Sequence, residues 1–299
     1  MISEKCQTSK NEKQFGIFTS QQCLVNTCRG EQRLATSPVD ANSAASTTPQ
    51  HQQQTSTTMA TERSGIVDPA IFEQLQERVD QDSAVREELR DIVQTLEKHG
   101  RSAQSILSRA HSTPLSQLPA VITAAEGAIR DEVAAVQKLS EAASKLPYYK
   151  FNGMWSRQVQ DTVFTILYCG YLGGFASDGG NVKSGRLLSI EEVGAIMSVP
   201  VNLKDQDAFH LTIEEYLQAL ISLIDELARL ARNSVTLGDY SRPMQIAQFI
   251  KDIHAGFQIL NLKNDSLRRR SDGIKYRVKE VEDVVYDLSL RNLVPTESA

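Results

Sequence analysis

From Asp68 onward, apolar residues recur at steps of three and four, the spacing of one face of an α-helix. Asp68-Pro69 reads as an N-cap followed by a first-turn proline. Phe72, Leu75, Val79, Val85, Leu89, Ile92, Val93 and Leu96 then form one apolar stripe. A second stripe runs from Leu118 through Val121, Ile122, Ala125, Ile129, Val133 and Val136 to Leu139 and ends near Leu146-Pro147. The spacing predicts a third helix over Tyr148–Leu172, and the glycine-rich stretch Gly173–Gly185 reads as a loop. Ser189-Ile190-Glu191-Glu192 and Thr212-Ile213-Glu214-Glu215 have the capping-box pattern that opens a fourth helix and a fifth, the latter reaching about Arg232. Ser241-Arg242-Pro243 opens a sixth. A seventh, over Leu262–Leu290, carries Leu267, Ile274, Val278, Val281, Val285 and Leu288 at heptad spacing, a seam suited to dimer formation. No segment alternates with period two. The expectation is an all-α, seven-helix antiparallel bundle of long helices spanning residues 66–294.

The flanks differ. Asn42–Thr58 carries no Leu, Ile, Val, aromatic or charged residue, so it has too little to bury against its conformational entropy. Residues 1–65 therefore read as a disordered polar extension, which a start at Met59 would largely bypass, and residues 295–299 as a flexible tail. The N-terminus lacks a secretory apolar core, and Glu4, Glu12 and Glu31 argue against a transit peptide.

Among 299 residues, 40% are hydrophobic and the formal net charge is −5. No apolar run approaches the roughly 20 residues of a membrane span. Four scattered cysteines without a CxxC spacing fit neither a disulfide scaffold nor a zinc ribbon, and they suit a reducing compartment. Charge is unevenly placed. Lys263, Arg268, Arg269, Arg270, Lys275, Arg277 and Lys279 face only Asp265 and Asp272 within one short segment. Such a patch on an acidic chain suits phosphates, although a solvated face or an ion-paired interface has the same composition. Tyr148–Arg157 mixes aromatics with Lys150 and Arg157, which fits stacking on bases and equally fits a helix start buried in the core.

Enzyme signatures mostly fail. HExxH, GxSxG, GxGxxG and a Walker A lysine are absent, and the five histidines have no ligand spacing. Asp161, Asp225 and Glu226 are the acids that neighbouring helices could bring together around Mg²⁺ for phosphodiester cleavage.

Three stretches carry a resemblance: Asn233–Pro243 (NSVTLGDYSRP), Leu260–Arg270 (LNLKNDSLRRR) and Val284–Ser289 (VVYDLS). With them the chain resembles the translin family from about Pro69 to Leu293. That resemblance implies seven helices assembling into a closed octameric shell. It implies binding of single-stranded DNA and RNA, and partnership with translin-associated factor X in an endoribonuclease that removes passenger strands and processes tRNA fragments. Cytoplasmic and nuclear residence follows from the same source. The family's two basic binding regions fall on Tyr149–Arg157, with Tyr149, Lys150, Trp155 and Arg157, and on Leu267–Asp272, with Arg268, Arg269 and Arg270. Lys275 adjoins the second, and Arg86 matches an earlier arginine of the family, with Arg90 one turn on.

Departures are informative. Asn152, Met154 and Ser156 stand where relatives carry more His and Arg, which shifts weight to Arg268–Arg270. The catalytic partner's paired acids fall on Asp161 and Phe164, and on Ser222 and Glu226. With half the set missing, the chain reads as the scaffold subunit, needing no cofactor. A Mg²⁺-dependent ribonuclease using Asp161 and Glu226 is the alternative.

Overall fold

The computed structural model describes residues 68–175, 184–203 and 206–294, and the expected N-terminal extension, the C-terminal tail and most of the glycine-rich loop lie outside them. Nine α-helices occur among the described residues: α1 Pro69–Leu107, α2 Leu118–Ala143, α3 Tyr148–Phe151, α4 Ser156–Leu172, α5 Ile190–Met197, α6 Ile213–Thr236, α7 Ser241–Ile259, α8 Ser266–Ser271 and α9 Ile274–Leu290. The only β feature among them is an isolated bridge between Val201 and Leu211. The all-α class is as the periodicity predicts.

Local chemistry sets the boundaries. The Asp68 carboxylate accepts from the Ala70 amide at 3.0 Å and starts α1. Both capping boxes are complete. The Glu192 amide donates to Ser189 Oγ at 3.2 Å while the Ser189 amide donates to the Glu192 carboxylate at 2.7 Å. Thr212 and Glu215 repeat the pair, each at 3.1 Å. Each box satisfies two amides that the first helical turn leaves without partners.

Two of the expected helices are broken. The third is divided by a 3₁₀ turn at Asn152–Met154, where Gly153 disfavours helix by about 1 kcal/mol relative to Ala. The seventh is divided at Asp272-Gly273 into α8 and α9. There a Cβ on residue 273 would lie 3.0 Å from the Arg270 carbonyl oxygen, a tight contact that glycine avoids.

Packing is layered. Helices α4 and α6 form the centre, α1 and α2 pack along each other and cover α4, and α7 and α9 cover α6. From Val163 through Leu172, α4 buries every residue except Phe164, which is partly buried. The heptad seam turns inward within the protomer: Leu267, Ile274, Val281 and Leu288 are buried in its own core, against α6 and α7. This corrects the expectation that the seam joins two chains. A second correction concerns the start of α1, where Phe72, Leu75 and Val79 are exposed rather than core-facing.

Candidate nucleic-acid interface

The arginine triplet is placed by its neighbours. Asp265 caps α8, its carboxylate accepting from the amides of Leu267 at 3.0 Å and Arg268 at 3.2 Å. Leu267 and Ser271, one turn apart, are buried and anchor the helix, so the three arginines between them project outward. They do not act as one block. Arg268 lies 3.3 Å from Asp272, both about half exposed, a geometry worth little in water. Arg268 and Lys275 line a cavity of about 290 Å³ beside His254 and Gln258. Arg269 and Arg270 line another, of about 410 Å³, with Asp225, Tyr276 and Arg277.

Arg270 reaches back to α6. One of its Nη groups donates to Gln218 Oε1 at 2.6 Å and the other to Ser222 Oγ at 3.0 Å. Both acceptors are neutral, so the guanidinium is oriented without being neutralised. Arg269 has neither an ion pair nor a side-chain hydrogen bond among the described residues. Arg277 contrasts with both. It spans Asp225 at 2.7 Å and Glu280 at 2.8 Å, and these hydrogen bonds raise its pKa further. Tyr276, 66% exposed and with the Lys275 ammonium 5.1 Å from its ring centre, belongs to this surface. Sequence reasoning passed over it, although an aromatic between Lys275 and Arg277 was a usable signal.

The Tyr149–Arg157 region is built differently. Trp155, expected to stack on bases, is 1% exposed and packs against Phe209 at 5.7 Å between ring centres. It is a core residue. Tyr148 is also buried, stacked on His210 at 4.5 Å, and Phe151 is 2% exposed. Burying large rings outweighs offering them to a ligand here. Tyr149 is the exception, fully at the surface. Lys150 pairs with Asp82 at 2.6 Å. Its ammonium and the Arg86 guanidinium both approach the Phe151 ring, at 5.3 and 5.2 Å from its centre. Arg90 pairs with Glu87 along α1. Arg157 is exposed at the rim of a cavity that also contains Asp161.

Asp161 is where the two basic regions meet. Burial raises its pKa, while Arg157 and Arg270 are near enough to pull it back down. Glu226 belongs to a different network. It lies 2.6 Å from His111 Nε2, and that hydrogen bond holds its carboxyl below the usual range. On its other side, His111 Nδ1 accepts from the Asn233 amide at 3.0 Å. Asp225 is taken by Arg277. Among the described residues, no three His, Cys, Asp or Glu side chains gather in a single cluster. Asp161, Asp225 and Glu226 thus belong to separate networks within the protomer, with Arg157, Arg277 and His111 respectively.

Fold and surface together define an all-helical protein with an arginine-bearing turn docked on its central helix. The chain belongs to the translin family, which it matches over residues 84–292. Translin of Gallus gallus is 38% identical over 228 residues, spanning 75% of this chain and 93% of that protein. Translin of Homo sapiens is 38% identical over 226 residues, 74% of this chain and 92% of its own. A shorter likeness, 30% over 82 residues, links 27% of this chain to 28% of translin-associated protein X of Mus musculus. In fold the chain is similar to two solved structures. Apo-NeC3PO has a TM-score of 0.53 and 16% identity, covering 71% of this chain and 95% of that one. AfC3PO in complex with duplex RNA has a TM-score of 0.51 and 14% identity, covering 74% and 98%.

Proposed function

We propose that this chain is a single-stranded DNA- and RNA-binding subunit that assembles with copies of itself into an octameric shell. In the cytoplasm and nucleus it partners translin-associated factor X, supplying the binding surface rather than the cleaving carboxylates. The observation that carries this reading is the pair Arg269 and Arg270. Both are exposed on one cavity with Tyr276, one without a partner among the described residues and one held by neutral groups. A guanidinium held in place with its charge intact is the arrangement that attracts a phosphate backbone. Binding is accordingly tolerant of sequence and steep in salt. The test is fluorescence anisotropy with a labelled single-stranded oligonucleotide at two salt concentrations, with assembly followed by light scattering. Replacing Arg268, Arg269 and Arg270 by Glu should abolish measurable binding, a loss of roughly 100-fold or more, with helicity unchanged; unchanged affinity refutes the assignment.

The non-catalytic role has its own support. Phe164 stacks on Tyr168 at 6.0 Å, and Ser222 accepts from Arg270, at two positions where the resemblance places acids in the catalytic partner. A guanidinium bonded to Ser222 puts positive charge where cation binding would need negative charge. Single-stranded RNA incubated with the purified protein should give the same products with or without chelator, and with Asp161→Ala or Glu226→Ala. Cleavage lost in those variants would establish the nuclease reading instead.

A further inference from the structure

The first turns of α1 stand clear of the rest of the protomer: every residue from Ala70 to Gln81 is exposed. This stretch, about 18 Å long, carries Ile71, Phe72, Leu75 and Val79, whose spacing puts them on one helical face. Their exposures run from 49% to 63%. A lone helix of this length is marginal in water and is held by packing its apolar face. Scattered exposed apolar residues need no partner, but a contiguous stripe of large ones on a projecting helix marks a contact surface.

A matching recess lies elsewhere on the same chain. Between α6 and α7 runs a groove of about 550 Å³, lined by Leu187, Leu217, Leu220, Phe249, Phe257 and Leu260. Gly256 also lines it, exposed within α7, and a Cβ added there would meet nothing within 4 Å. Glycine inside a helix costs about 1 kcal/mol relative to Ala. No described neighbour requires glycine at 256, whereas close approach of another helix from outside would. The stripe cannot reach the groove of its own chain. Helix α1 is unbroken to Leu107 and packs on α2 and α4, while α7 packs on α6 and α9. Arg78, seven residues after Ile71, borders the stripe, and Asp252 lines the groove, so the two surfaces carry opposite charges.

We propose that the start of α1 from one copy docks in the α6–α7 groove of the next, joining copies head to tail. This contact rests on the self-assembly proposed above and names the surfaces that meet. Each copy offers one projecting apolar stripe and one apolar recess, so the same contact repeats from copy to copy and ends when a ring closes. Arg78 and Asp252 favour this pairing over one of like surfaces, which would bring two Arg78 side chains together.

The test is light scattering of the full-length protein, with helicity followed by circular dichroism. The wild type should be a large assembly. Phe72→Glu combined with Leu75→Glu on α1, and separately Gly256→Glu in the groove, should each bring the mass down to roughly half or less. All three positions are exposed, and Glu is a better helix former than Gly, so helicity should hold and a folding defect does not mimic the result. Mixing the two variants tests the direction of the contact. One retains its groove and the other its stripe, so the mixture should give a species heavier than either variant alone. A stripe-to-stripe contact predicts no such gain, and a groove filled by the chain's own residues 1–67 predicts an unchanged mass for Gly256→Glu. Either result overturns the proposal. A monomeric wild type overturns the self-assembly reading with it, whereas a large wild type with unchanged variants overturns this contact alone.

Discussion

The two basic regions have similar compositions and opposite fates. In Tyr148–Arg157 the aromatic rings enter the core and the nearby cations are engaged: Lys150 with Asp82 and, like Arg86, with the Phe151 ring. In Lys263–Lys279 the anchors are Leu267, Ser271 and Ile274, leaving Arg269, Arg270 and Tyr276 outside. Aromatic-plus-basic composition thus does not specify a stacking surface. What decides is whether the fold has another use for the rings. With three large rings available, the core takes them; with leucine, serine and isoleucine as anchors, the arginines and tyrosine remain at the surface.

This contrast can be broken by mutation, since one region should report on stability and the other on binding. The largest effect is expected from Trp155→Ala, which should cost about 3–5 kcal/mol in a denaturant melt. A loss below about 1 kcal/mol would return Trp155 to the binding surface. Next, the Arg268, Arg269 and Arg270 charge reversal should lower single-strand affinity by roughly 100-fold or more at moderate salt, with Lys150→Glu lowering it several-fold less. The reverse order would transfer the interface to the first region.

A third test uses pH. Glu132, buried on α2, titrates at about 7 in the folded protein against an ordinary value of 4.5. Between these values the folded state holds a proton that the unfolded chain has released, so this group lowers stability as pH rises through the window. The loss totals roughly 3 kcal/mol and levels off above pH 7. Glu132→Gln should gain on the wild type by that order between pH 4.5 and 7, and parallel melting curves would show that Glu132 is solvated. The smallest effect is expected at Arg90→Ala, whose exposed pair with Glu87 should be worth less than about 0.5 kcal/mol.

Helix starts were legible because capping is local: Asp68, Ser189 and Thr212 each bond within three residues. Periodicity gave the class but not the breaks, since Gly153 and Gly273 sit inside patterns that continue on either side. It also placed Phe72, Leu75 and Val79 in a core that α1 does not supply to them. The site was partly readable. Arg268–Arg270 stood out as a run, but their division between two cavities depends on α6 and α7, which sequence spacing does not bring near. Glu132 was hidden because a single acid on an apolar helical face looks like an ordinary interruption.

The turn at Gly273 shows how far a residue can act from what it controls. A single added methyl would stand 3.0 Å from the carbonyl of Arg270 and press on the most cationic turn of the molecule. Inherited variation at this position could therefore alter polynucleotide affinity without removing any charge, and an inventory of contact residues would miss it.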